Sequence, residues 1–262
     1  MRALNTAATG MLAQQLNVEV ISNNIANMNT TGYKRQRAEF QDLLYQTIER
    51  PGASSSDAGT VVPTGVQVGL GVKAGSVYRV TEQGNLTQTG NPYDLAIAGE
   101  GYFVVQLPSG EDAYTRAGNF ALGPDGQLLT EDGYVVSPGI TVPQDALDVI
   151  ISQQGQVQVV TAGQTAPQIV GQLELASFFN KGGLDPQGDN LFLESAASGP
   201  ASTGTPGAQG FGRITQGFIE ASNVNAVQEI TALIQAQRAY EMNSKVITAA
   251  DEMLSTSSNL RR

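Results

Sequence analysis

Two acidic dipeptides, Glu111-Asp112 and Glu131-Asp132, are the nearest approach in this chain to a pair of catalytic carboxylates. Acid–base cleavage of a glycoside needs two carboxyl groups facing one substrate across a defined gap. Neighbours on a strand point to opposite faces, so each dipeptide divides its charges and reads as a solvated turn. The glycines of "AGEGYF" (residues 98–103) lack both the phosphate-loop lysine and the dinucleotide-binding spacing. Asp125 in "PDGQ" stands without the series of oxygen ligands a calcium loop requires. The chain has no histidine and no cysteine, which removes the usual general base, thiolate nucleophiles, disulfides and the commonest metal ligands. With no tryptophan either, it lacks a favoured platform for stacking sugars. The residues therefore predict no catalytic site, no metal and no cofactor.

Charge narrows the partners. Of the formal charge of −10, residues 51–225 carry sixteen Asp/Glu against five Lys/Arg, so the two flanks together are close to neutral. Nucleic acid is not an expected ligand for such a chain, since phosphate neutralisation needs basic clusters. Lys34, Arg35 and Arg37 form one compact cluster, with Glu39 and Asp42 directly behind it. No apolar run approaches the ~20 residues of a membrane span, so stable membrane insertion is not expected. The opening "MRALNTAATGMLAQQLN" has no continuous apolar region or cleavage site, and a cleaved signal peptide is not expected.

The positive signals lie at the two ends. Leu4, Met11, Val18 and Ile25 recur at seven-residue intervals, and so do Ala226, Leu233, Tyr240, Ile247 and Leu254. That spacing returns to one helix face every two turns, the pattern of helices packed side by side. The positions between (Ala8, Gln15, Ser22; Ile230, Gln237, Ser244, Asp251) are mostly small or polar, while Leu12, Ile21, Val227 and Ile234 widen each stripe. A self-sufficient zipper is therefore not expected, and each helix needs more than one neighbour. Helices are predicted over 3–28, about 40 Å long, and over 224–256. They either close on each other in an α+β monomer or pack against other copies of the chain.

Asparagines mark both helix junctions. Asn23, Asn24, Asn27 and Asn29 precede the exit Thr30-Thr31-Gly32, and "EASNVNAVQEI" opens the second helix. Short amides cap backbone or bridge to a neighbouring helix. Ser222 or Asn223 is a candidate N-cap, with Asn225 and Gln228 a competing capping box. Asn23, Asn24, Asn27, Asn223 and Asn225 are thus candidate junction or interface groups.

Between the ends the helical period vanishes. Strands are predicted within 66–80, 93–107, 112–122, 147–151, 156–160, 169–179 and 190–194, with turns at Pro124-Asp125-Gly126 and Glu131-Asp132-Gly133. Residues 195–210 read as a flexible surface loop. The expected domains are an N-terminal helix over 1–30, an intermediate segment over 31–71, a mainly-β domain over 72–222 and a C-terminal helix over 223–262. Within the intermediate segment, 46–64 ("QTIERPGASSSDAGTVVPT") reads as a linker or as an extended arm, with Ile48, Pro51, Val61 and Val62 as its contact residues. Pro51-Gly52 is expected to stop a helical or turn segment.

Three long stretches carry a family resemblance: "GMLAQQLNVEVISNNIANMNTTGYKRQRAEFQDLLYQ", "NPYDLAIAGEGYFVV" with "YTRAGNFALGPDGQLLTEDGYVV", and "GFIEASNVNAVQEITALIQAQRAYEMNSKVI". Together they resemble the bacterial flagellar rod-and-hook family over nearly the whole chain. The resemblance implies an α+β fold whose terminal helices form an inner coiled-coil-like layer around an export channel, with an extended β arm and a mainly-β outer domain. It implies a homo-oligomer assembled helically into a rigid tubular drive shaft, in the flagellar basal body and crossing the periplasm. The implied partners are proximal rod proteins and hook protein along the axis, the surrounding L and P rings, and the flagellar type III export apparatus in transit. Within the family, chain length and the 46–64 stretch fit the distal rod. A hook or proximal rod subunit is the nearest alternative, and a monomeric β-rich periplasmic binding protein a more remote one.

Overall fold

The computed structural model describes residues 2–50, 64–161 and 166–259. Two long helices, α1 (Arg2–Ala26) and α2 (Ala226–Asn259), bracket a run of short strands. The chain folds as two compact units. A helical unit contains residues 1–26, 36–78 and 225–262, and a β unit contains residues 27–35 and 79–224. The fold class is α+β.

In the helical unit α1 and α2 pack along each other, and the strand Gln36–Asp42 lies against α1 and pairs with Val72–Arg79. A second antiparallel pair joins Tyr45–Glu49 to Val66–Gly69, with Tyr45 opposite Gly69 and Thr47 opposite Gln67. The segment before Pro51 is therefore extended, not helical or a simple turn. Its apolar side chains alternate weakly with polar ones, and strand pairing supplies backbone partners that local pattern does not reveal. Pro51, Val61 and Val62 lie outside the described residues, and Ile48 is exposed on its strand.

The β unit is built on Tyr102–Gln106. One edge of this strand pairs with Asp112–Thr115, and the other is shared by Val135–Val136 and Leu175–Ser177. Packed against the resulting sheet is a three-stranded sheet of Ala146–Ile151, Gln156–Thr161 and Gln168–Gln172, whose Val149, Ile151, Val157 and Val159 point inward. Alternation of period two puts those four on one face. Leu95, Ile97, Phe103, Leu175 and Ile214 are fully buried at the centre. A smaller aromatic cluster sets Phe178 edge-on to Tyr114 at 4.7 Å and to Tyr102 at 6.0 Å.

Two sequence expectations change here. The strand read over 169–179 is divided: Gln168–Gln172 belongs to the three-stranded sheet and Leu175–Ser177 to the larger one. The segment 195–210 is not simply a surface loop. Ser202–Gly204 pairs with Leu175–Ser177, and Ser198 is buried. Ser195 Oγ accepts from the amides of Ala197 and Ser198 at 3.1 and 3.2 Å, so hydroxyls replace the missing apolar anchors.

Candidate assembly interface

The terminal helices run antiparallel. Asn24 near the end of α1 meets Glu229 near the start of α2, and Gly10 meets Asn243. Their shared seam is made mostly of small and polar groups, with Val20 and Ile21 the larger apolar ones. Ala7, Ala13, Val20, Ile21 and Asn24 are its buried residues on α1; Glu229, Ala236 and Ala250 are those on α2. A Cβ added to Gly10 would come within 2.9 Å of the Asn243 side-chain nitrogen, so the absent side chain lets the helices approach closely. Small residues favour backbone proximity and leave little for large apolar knobs to do.

A polar contact fixes one end of this seam. Asn24, 1% exposed, works as a backbone surrogate: Oδ1 accepts from the Gln36 amide at 2.8 Å while Nδ2 donates to the Gln36 carbonyl at 2.8 Å. Nδ2 also donates to Glu229 Oε2 at 3.1 Å. One amide thus joins the last turn of α1, the strand behind it and the first turn of α2. Glu229 suits that turn, where the helix dipole favours an acid. Buried polar contacts of this kind set register, because a slipped pairing strands the polar groups.

The other asparagines divide the remaining work. Asn225 is the N-cap of α2, its Oδ1 accepting from Val227 N at 3.1 Å and Gln228 N at 3.2 Å. Asn223 is a bridge: it accepts from Arg35 N at 2.7 Å and donates to the carbonyls of Val80 and Glu82, both at 3.0 Å. Ser222 Oγ accepts from Val224 N, outside the helix. Asn27 Oδ1 accepts from Thr30 Oγ1 at 3.1 Å, and Asn23 is exposed. At the exit of this first junction Gly32 has φ +70, where a Cβ would lie 2.7 Å from the Ala117 amide.

The sequence stripes sit beside the seam, not at its centre. Leu4, Met11, Val18 and Ile25 are half-buried, as are Leu233 and Ile247, while Tyr240 and Leu254 are exposed. Further round, Leu12 is 67% exposed and Val227 74%, with Ile230, Ile234, Met242, Val246 and Met253 also open. An unusual amount of large apolar surface is therefore turned away from the helices' own contact, which is the mark of an interaction face. Among the described residues, no helix is long and apolar enough to cross a membrane.

The β unit holds a charged cluster that sequence reading missed. Glu220, at the end of Phe218–Glu220, is buried between Lys34 and Arg116. Lys34 Nζ pairs with Oε1 and also donates to the Glu82 carbonyl at 2.8 Å. Arg116 Nε donates to Oε2 at 2.6 Å, and its other nitrogens reach the carbonyls of Ile97, Gly99 and Gly101. The Gly84 amide donates to Oε1 at 2.9 Å. Burial pushes the Glu220 carboxyl upward, but Arg116 and Lys34 outweigh it and hold the group below its ordinary value. For Lys34, burial lowers the pKa despite the restoring pull of Glu220. The sequence signal was Glu220 at the end of the apolar run "GFIE". Lys34 reads as part of a basic surface cluster only until its partner is known; Arg37 remains exposed and pairs with Glu39 at 2.9 Å.

Known families match three parts of the chain: a flagella basal body rod protein family over residues 4–34, the flagellar hook protein FlgE/F/G D1 domain over 96–159, and the flagellar basal body rod FlgEFG protein C-terminal family over 215–260. Flagellar basal-body rod protein FlgG of Caulobacter vibrioides is 68% identical over 261 residues, covering 100% of both chains. The Bacillus subtilis protein of that name is 42% identical, again over 100% of both. Flagellar basal-body rod protein FlgF of Caulobacter vibrioides is 33% identical, over 96% of this chain and 94% of its own.

Proposed function

The chain belongs to the family of flagellar basal-body rod proteins, and from that premise we propose that it is the subunit of the distal rod. It is a structural protein of the axial assembly. Subunits polymerise helically into a stiff tube that transmits torque to the hook and leaves a central passage for export. The observation that carries this reading is the apolar surface of α1 and α2 lying outside their own seam, on a chain whose relatives are rod proteins. The contrast between 68% and 33% identity to two rod proteins of one bacterium favours the distal over the proximal position.

In the proposed assembly the terminal helices form the inner layer and supply axial and lateral contacts. Leu4, Met11, Val18, Ile25, Leu233, Tyr240, Ile247 and Leu254 are the interface residues. The β unit forms the outer wall, with its acidic surface toward the L and P rings, and proximal rod and hook proteins adjoin along the axis. Subunits reach the periplasm through the flagellar export apparatus. Residues 46–64 act as an arm that limits sliding between neighbours. Pairing of Tyr45–Glu49 with Val66–Gly69 supports the arm, because it joins the strand that opens the segment to the strand that follows it.

Cryo-electron microscopy of the native basal body tests the assignment. The expected result places this chain in the tube below the hook; density only in the hook or proximal rod overturns it. Deletion of 46–64 is expected to leave polymerisation intact and shorten the persistence length of the tube. An equally stiff deletion polymer removes the arm from the mechanism.

A further inference from the structure

The helix pair is uneven, and its surplus carries an inference that rests on the reading above. Asn24 lies opposite Glu229 and Gly10 opposite Asn243, so the same offset places Arg2 near Asp251. Residues 252–259 of α2 therefore extend beyond α1, an overhang of about 12 Å at 1.5 Å per residue. It begins with the exposed Glu252, followed by Met253 and Leu254, 67% and 41% exposed. On the same helix pair, Gln15, Val18 and Glu19 of α1 and Gln237, Tyr240 and Glu241 of α2 line an open cleft of about 500 Å³. Val18 and Tyr240 give it apolar walls, and the carboxylates of Glu19 and Glu241 stand among its polar lining.

We propose that this cleft receives the Met253–Leu254 overhang of a second copy of the chain. A subunit cannot fill its own cleft. Met253 stands thirteen residues beyond Tyr240 on one continuous helix, about 20 Å along the axis. The occupant must come from another molecule, and a copy displaced along the helix axis presents the overhang at that level. The cleft has room for two unbranched or singly branched side chains, and the flexible thioether of Met253 adapts to an irregular wall. Neither side chain brings a charge among the carboxylates. The contact is heterologous, cleft to overhang, and so propagates along a filament instead of closing a dimer.

The absence of cysteine makes the test direct. Full-length V18C and M253C subunits are mixed, assembled and oxidised. The expected product is a V18C–M253C heterodimer that is absent from an L12C plus M253C mixture, Leu12 lying on α1 outside the cleft lining. Tubes that form without this cross-link overturn the docking proposal and leave the rod assignment standing. A parent chain that forms no assembly under any condition removes both. Independently, M253D is expected to raise the critical concentration for assembly at least tenfold, while S255D, an exposed position on the same overhang, changes it less than twofold. Equal effects of the two substitutions also overturn the proposal. Circular dichroism of each subunit before assembly separates loss of docking from loss of helix.

Discussion

The two units of this chain solve the burial problem in opposite ways. The β unit gathers most of its large apolar side chains into a core and, at one place, buries its charges: Phe103, Leu95 and Ile97 fill the core and Glu220 is enclosed by Lys34 and Arg116, while Leu147, Ile169 and Phe179 stay exposed at its surface. The helical unit hides mainly alanines, with Val20, Ile21, Asn24 and Glu229, and leaves Leu12, Val227, Ile230, Met242 and Met253 outside. In the proposed assembly, other copies of the chain cover the apolar side chains left outside the helix pair. On that proposal, the first region chiefly carries stability and the second carries polymerisation.

The largest test of that contrast is Glu220→Ala. It leaves Lys34 and Arg116 buried beside no carboxylate, and removing one partner of a buried ion pair costs ~3–5 kcal/mol. Denaturation followed by near-ultraviolet dichroism of the buried tyrosines is expected to shift by that amount. The helical signal should persist to higher denaturant than the tyrosine signal. Coincident loss of both signals would show one cooperative body instead of two separable ones. The pH dependence has a definite sign. Glu220 has a depressed pKa in the folded state, so the unfolded chain takes up its proton first as pH falls. Its contribution is complete above the ordinary carboxylate pKa and is lost as pH drops through the folded value. Urea midpoints measured between pH 6 and pH 2 should decline less steeply for Glu220→Gln than for the parent, from a lower starting stability.

Substitutions in the helical unit sharpen the other side. Asn24→Leu removes one hydrogen bond to Glu229 and two to the backbone of Gln36, for an expected loss of ~1–3 kcal/mol in the helical transition. Pairing it with Glu229→Leu should recover part of that loss, because replacing both partners of a buried polar contact is far less costly than removing one. A double variant no better than the single would mean the Gln36 bonds dominate. Leu233→Asp or Ile247→Asp places a charge at a half-buried stripe position and is expected to weaken assembly by ~1–3 kcal/mol per contact, with the tyrosine transition unchanged. Sedimentation and electron microscopy give the first quantity, denaturation the second. The smallest effect is expected for Asn225→Ala, about 1 kcal/mol of helix stability from the lost cap, read as fraying of α2 in hydrogen exchange.

The sequence by itself determined the existence of both terminal helices, because a seven-residue period over four or five repeats is a local property of one segment. It determined the β character of the middle for the same reason: period-two alternation and the Pro-Asp-Gly turn are written within a few residues. Family identity was also legible, since long ordered segments such as "SNNIANMNTTGYK" are specific without any coordinates. Tertiary structure decided which helix face meets its own chain. The periodic stripe drew attention to Leu233 and Ile247, yet the seam is centred on Ala236 and Ala250, because close helix approach selects small residues and leaves large ones at the margin. It decided what each asparagine does. Identical amides become a backbone surrogate at Asn24, a bridge at Asn223 and a cap at Asn225, according to which backbone groups arrive beside them. It also decided the ion cluster, whose members Lys34, Arg116 and Glu220 are separated by up to 186 positions. Burial turns such groups from solvated surface charges into partners that must be matched, and no local pattern records a match between residues so far apart in the chain.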